Sequence, residues 1–203
     1  MVHRIRRVVT GHNKDGKSVI VSDGLAPNIL EMASMPGVAL TDLWRTKTSP
    51  ASNSGNADAA TGKIKLEPPE SGTILRIVEF PPDSQWRHTA NAKTAFKSIG
   101  AGHAPDHGSG DPMTHATATV DYIIVLKGEI YAIVDLQETL LKQGDILVQR
   151  GTNHSWSVRA NEPCIVAAIL VGAKPIGRLA KRRSGAAGKK SAGKSKAKKK
   201  RAK

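Results

Sequence analysis

A chain of 203 residues with 39% hydrophobic residues is long enough to bury one sizeable core and short for two. Its net charge of +14 is uneven: residues 174–203 hold 14 of the 31 Lys and Arg and none of the 17 Asp and Glu, so the remainder is neutral and a basic globular domain is excluded. Cys164 is the single cysteine, which excludes an intrachain disulfide framework, and the longest apolar run, residues 165–171, is too short to span a bilayer, so the expectation is a cytoplasmic protein with no membrane partner.

In chain order, residues 5–9 and 18–21 are β-rich runs around a turn segment holding Asn13, Asp15 and Gly16. They predict an N-terminal hairpin. Pro27 and Pro36 interrupt the next stretch, and residues 38–45 form a further candidate strand. Residues 49–62, rich in Ser, Asn, Ala and Gly, offer little apolar surface to a core and read as a mobile surface loop. The run TILRIVEF, residues 73–80, lies between Gly72 and Pro81 and is a strand by its β-branched and aromatic content. Residues 85–110 show no period and predict a long loop carrying His88, His103 and His107. Histidines in such a loop are ordinarily exposed; folded over a site, one of them could reach it.

From residue 117 the candidate strands crowd together, over about 117–126, 129–135, 138–141, 145–149, 154–158 and 164–171, with Gly128, Gly144 and Gly151 in the turns. Short strands with turns at this spacing predict an all-β sandwich or barrel. The stretch from Gly110 to Trp156 carries the chemistry. Side chains alternate along a strand, so His115, Thr117, Thr119 and Asp121 share one face while Tyr122, Ile124 and Leu126 share the other. With His154 brought in from a neighbouring strand, His115 and Asp121 would complete two imidazoles and a carboxylate, a set that leaves a divalent ion open positions. Asp121 could equally accept hydrogen bonds from Thr117 or Thr119. Trp156 is either core packing or a wall against a ligand, and Tyr122, Tyr131 and Cys164 read as packing.

The residues Gly110, His115, Thr117, Asp121 and Gly128, followed by Gly144, Asp145, Gly151 and His154, resemble the two motifs of the cupin superfamily. THATATVDYIIVLKGEI with GDILVQRGTNHSW is similar, more narrowly, to small single-domain bacterial cupins, and the likeness covers most of residues 4–172. It implies a cupin jelly-roll barrel with an N-terminal strand extension, a domain over residues 1–173 with its barrel core at about 73–172, and a small organic ligand inside. It also implies a metal site at His115, Asp121 and His154, with Thr117, Thr119 and Trp156 in the pocket and one divalent ion such as Fe, Mn, Ni or Zn, but no organic cofactor. In this chain Thr117 stands where the family usually has a second histidine, and Asp121 is one methylene shorter than the usual glutamate. Pairing into a homodimer is a further family expectation.

Three functions remain open on the sequence. The first is a metal-supported small-molecule enzyme, the second a metal-free acid–base dehydratase, isomerase or cyclase using His115, Asp121 and His154. The third is a non-catalytic ligand-binding cupin. Residues 174–203 read as a disordered tail, and their uncompensated positive charge predicts non-specific, salt-sensitive contact with nucleic acid; a solubilising role is the alternative.

Overall fold

The computed structural model describes residues 2–106, 108–177 and 179–180. His107 lies outside the described residues, and so does most of the tail predicted to be disordered over 174–203, from residue 181 onward; of its first residues, Leu179 is buried. Among the described residues the elements run in order β1 (Arg6–His12), β2 (Ser18–Leu25), β3 (Ile29–Glu31), β4 (Ala39–Thr46), β5 (Thr73–Phe80), α1 (Asp83–Trp86), α2 (Ala92–Ser98), β6 (Thr119–Lys127), β7 (Glu129–Val134), β8 (Gln137–Lys142), β9 (Ile146–Arg150), β10 (His154–Ser157) and β11 (Cys164–Gly172). A six-stranded sheet in the order β3-β4-β5-β11-β6-β9 accompanies a three-stranded sheet in the order β10-β7-β8, while β1 and β2 form a separate hairpin. This is the all-β jelly-roll barrel expected from the motif resemblance.

The sequence of β11, CIVAAILVG, shows why it sits between β5 and β6 in the large sheet. Cys164, Val166, Ala168 and Leu170 join the main core with Ile123, Val125 and Ile130. Ile165 and Ala167 face the other way, into a smaller cluster with Ile77, Leu43 and Ile5. A strand covered on both faces is apolar throughout, and each Val, Leu or Ile so buried contributes roughly 1.5–3 kcal/mol. Its neighbour β6 is covered on one face only and alternates: Thr119, Asp121, Ile123 and Val125 are buried, Tyr122 and Leu126 exposed. At the β6–β7 turn Gly128 has φ of 76°, and a Cβ there would lie 2.7 Å from the Pro163 carbonyl oxygen, so only glycine lets β7 turn back at this point.

Residues 85–110 differ from the structureless loop that their lack of period suggested. Helix α2 begins at Asn91, whose side chain accepts a hydrogen bond from the Thr94 amide at 3.0 Å. Ala92, Ala95, Phe96 and Ile99 then fall at helical spacing and pack, with Trp86, against Met32, Met35, Val38 and Leu40. The helix is only seven residues long, so its pattern is easily lost among flanking Gly and Pro. Strand β3, three residues long, gave no run to detect. Residues 49–62 are irregular, as expected, but polar side chains tie them down: Asp58 takes both Nη1 and Nη2 of Arg7, at 2.9 and 2.5 Å, and Asn56 donates to the His12 carbonyl at 2.8 Å. Ala60 is fully buried there.

One charged cluster lies deep in the barrel wall. Asp42 on β4 is fully buried and accepts from Arg76 Nε at 2.5 Å and from Arg45 Nε at 2.7 Å. Removing one member of a buried ion pair strands the other charge and typically costs about 3–5 kcal/mol. Asp42→Asn is therefore expected to lower the free energy of unfolding by about 3 kcal/mol, read as a lower urea midpoint at pH 7.

Candidate functional site in the barrel cavity

The site begins with a backbone contact. His115, just before β6, and His154, the first residue of β10, form an isolated antiparallel bridge in which each amide donates to the other's carbonyl at 2.9 Å. Residues paired in this way lie directly opposite one another, their Cα atoms about 5.5 Å apart. The imidazoles therefore lie side by side, ring centroids 4.2 Å apart and planes tilted by 51°. Phe96 of α2 flanks His115 at 4.8 Å and Trp156 flanks His154 at 5.7 Å, with Phe80 a further 6.3 Å beyond Trp156. A row of rings thus runs across the barrel.

Local hydrogen bonds fix which nitrogen of each ring carries the proton. Nδ1 of His115 lies 2.9 Å from the Met113 carbonyl oxygen, and Nδ1 of His154 lies 3.0 Å from that of Thr152. A carbonyl can only accept, so Nδ1 is the protonated nitrogen and Nε2 the acceptor of each neutral ring. His154 is 5% exposed. Its burial drives its pKa well below 6.5, the neighbouring His115 adds to the lowering, and the Thr152 carbonyl opposes it. The ring is neutral at physiological pH.

Asp121 on β6 is 4% exposed. Burial raises its pKa to about 6, against a hydrogen bond from Thr119 that lowers it, and the charge of Glu67 adds to the rise. Its Oδ1 is buried without a hydrogen-bond partner among the described residues. A carboxylate oxygen left so is costly to bury and is ready to take a proton or a donor from a ligand.

His115, Asp121, His154, Thr117 and Trp156 all line one cavity, of about 130 Å³. The rest of its wall is mostly apolar, with Trp86, Phe96, Met113, Leu40, Val166 and Leu170 among the lining residues. An apolar cavity of roughly 150 Å³ takes up benzene, so the space suits a molecule about the size of one ring. Thr119, expected in the pocket, is instead buried behind the wall, where its hydroxyl lies 2.7 Å from that of Thr117; β6 enters the large sheet at this residue, and its side chain is used in supporting its neighbours.

The three expected metal ligands reach one cavity, yet among the described residues no group of three His, Cys, Asp or Glu is placed to hold a metal ion. The two imidazoles offer suitable acceptor nitrogens, and their Nδ1–H bonds to carbonyls resemble those that orient metal-bound histidines. The third donor is what fails. Thr117 is a weak neutral ligand and its hydroxyl is engaged with Thr119, and the short side chain of Asp121 does not close the set. The donor set as it stands does not fit a resident ion held by three protein ligands.

Neither His88 nor His103 lines the cavity; His103 Nε2 is 2.9 Å from Glu67 at the surface. Cys164 is buried, its thiol pushed up to about 12 by burial and by the charge of Glu129, in keeping with a packing role. The sequence reading missed Arg76, Trp86 and Phe96 as lining residues. For Arg76 a signal existed: on the inward face of β5, between Ile74 and Val78, it is the lone charge.

Residues 103–171 match the family model described as a cupin domain. Among curated proteins, the chain is 29% identical over 180 residues to phomopsin biosynthesis cluster protein C' of Diaporthe leptostromiformis, covering 84% of this chain and 79% of that protein. It is 27% identical over 182 residues to the cupin-domain-containing oxidoreductase virC of Hypocrea virens, covering 86% and 79%. Both relatives are fungal, so the likeness to a bacterial group finds no support. Among solved structures, the cupin domain of Schizosaccharomyces pombe Cnp3 aligns with a TM-score of 0.42 at 11% identity, over 90% of this chain and 96% of that one. The part of this chain that matches the cupin-domain model, residues 103–171, supplies strands β6 to β10 and most of β11, together with both histidines and the carboxylate of the cavity.

Proposed function

We propose that this protein is a small-molecule enzyme that transfers protons within the barrel cavity, with Asp121 as the proton-transfer group and His154 as a fixed acceptor. The observation that carries the reading is the unpartnered Oδ1 of Asp121, in the same apolar cavity as two imidazoles held by carbonyls at Nδ1. A carboxyl with a pKa of about 6 is mostly ionised at neutral pH yet basic enough to remove a proton, the poise general bases require. Neutral His154 accepts a hydrogen bond at Nε2 from a substrate hydroxyl or N–H and so orients it.

The simplest reaction for this set is an isomerisation by proton shift. In a β,γ-unsaturated ketone Asp121 takes a proton from the carbon between the carbonyl and the C=C bond; that C–H pair becomes the new C=C bond, and the π pair of the old C=C bond takes a proton at the far carbon from the Asp121 carboxyl, which exchanges with solvent in the interval. Atoms and electrons balance without a further reactant. The apolar wall keeps the carboxyl desolvated and so basic enough for the step. The relatives' names support a small-molecule enzyme in biosynthesis. Those that read oxidoreductase, together with the two Nε2 acceptors, favour a second reading in which an added ion assists oxidation.

Chelator-treated protein, incubated in deuterated water with a panel of single-ring ketones and enones, is expected to place deuterium at carbon, read by mass spectrometry. Asp121→Asn should slow that exchange by about 10²-fold or more. Exchange that vanishes on chelation and returns with iron(II) overturns the proposal in favour of the oxidative reading.

Stability gives an independent check on Asp121. Its folded pKa of about 6 lies above the unfolded value of about 3.9, so the folded state binds the proton more tightly. Burial of Asp121 is tolerated below the unfolded pKa and becomes a cost as pH rises through the folded one, reaching about 3 kcal/mol above pH 6. Asp121→Asn should therefore raise the urea midpoint at pH 7.5 by an amount that shrinks toward zero near pH 4. A variant less stable than the parent at pH 7.5 would contradict the assignment.

A further inference from the structure

We infer that Arg76, on the same sheet as Asp121 and two strands away from it, is a ligand-anchoring residue that selects molecules bearing a carboxylate, or an equivalent anionic oxygen pair. Arg76 is 2% exposed, and a buried guanidinium needs partners for all its donors. Its Nε is taken by Asp42 Oδ1 at 2.5 Å and its Nη2 by the Lys65 carbonyl oxygen at 2.5 Å. Nη1 has no hydrogen-bond partner among the described residues, and the side chain lines the same cavity as Asp121 and His154.

Charge points the same way as geometry. The single carboxylate of Asp42 is shared by two guanidinium groups, those of Arg76 and Arg45. Asp42 therefore does not neutralise Arg76 by itself: it is shared between buried Arg76 and Arg45, whose side chain is partly exposed. Register sets the distance from the reacting end. Arg76 pairs across β11 through Ala168, which faces Ile123 of β6, and Asp121 lies two residues along β6 on the same inward face. A ring-sized molecule with its carboxylate on Arg76 can lay its apolar body along Ala168 and Leu170, toward Asp121 and His154. A bound anion would also hold the Asp121 proton more firmly, since a nearby like charge raises a carboxyl pKa.

The inference rests on the reading of this cavity as a small-molecule site, and not on proton transfer, so it is tested by binding alone. The probes are benzoate and benzamide, equal in shape and different in charge, with the fluorescence of Trp86 and Trp156 in the cavity wall as the readout. The full-length protein should bind benzoate about tenfold or more tightly than benzamide, the gain expected of a charge-assisted, bidentate contact. Arg76→Met should lose that preference while still binding benzamide, and Arg76→Lys should keep part of it. Should both variants fail to fold, as judged by circular dichroism, the comparison of the two probes on the parent protein decides by itself. Equal binding of the probes overturns the role of Arg76 and leaves the cavity reading intact, whereas binding of neither counts against both.

Discussion

The arrangement of this barrel cavity depends on the backbone bridge between His115 and His154. Two amide–carbonyl bonds of 2.9 Å hold the segment before β6 against the start of β10, joining the large sheet to the small one. Because the bridge places these residues opposite one another, their side chains emerge together, and because each Nδ1 meets a carbonyl two residues earlier, each ring is turned the same way. A histidine replaced here would disturb a side-chain contact; a register slip of one residue would turn both rings out of the cavity.

The same pairing explains why the polar groups sit inside an apolar wall. Helix α2 and the residues around Met32 and Trp86 cover one side of the cavity, leaving His154 and Asp121 nearly without solvent. Desolvation then acts on the two in opposite senses, holding the imidazole neutral and raising the carboxyl. Such groups lower stability where they stand, and their retention in a closed apolar cavity is the pattern expected of a site that does chemistry.

Much of this was legible in the sequence, for identifiable reasons. Strand β5 was delimited by Gly72 and Pro81, and the strands from β6 to β11 were set apart by Gly128, Gly144 and Gly151, so runs of β-branched residues could be bounded closely. The alternation of Asp121 against Tyr122 placed the inward face correctly. The encounter of His115 with His154 needed the motif resemblance, because residues 39 positions apart carry no local signal of contact. Helix α2 escaped because its apolar spacing spans too few turns to stand out. Arg76 escaped because one charged residue in an apolar strand reads as an exposed position, although it shares parity with Ile74 and Val78; the β4–β5 register, which sets Asp42 opposite it, supplies the counter-charge that lets it be buried. Thr119 was placed by parity alone, and parity does not tell a cavity from the packing behind it.

The central claim is that the cavity holds a neutral imidazole with its acceptor nitrogen free to receive a donor, beside a carboxyl of raised pKa. Nuclear magnetic resonance of protein labelled with nitrogen-15 histidine and carbon-13 aspartate tests it directly across a pH titration. The account predicts that His154 carries its proton on Nδ1 and stays neutral well below pH 6.5, while the Asp121 carboxyl titrates near 6. A His154 ring protonated on Nε2 and titrating at an ordinary value, with Asp121 titrating near 4, would contradict it.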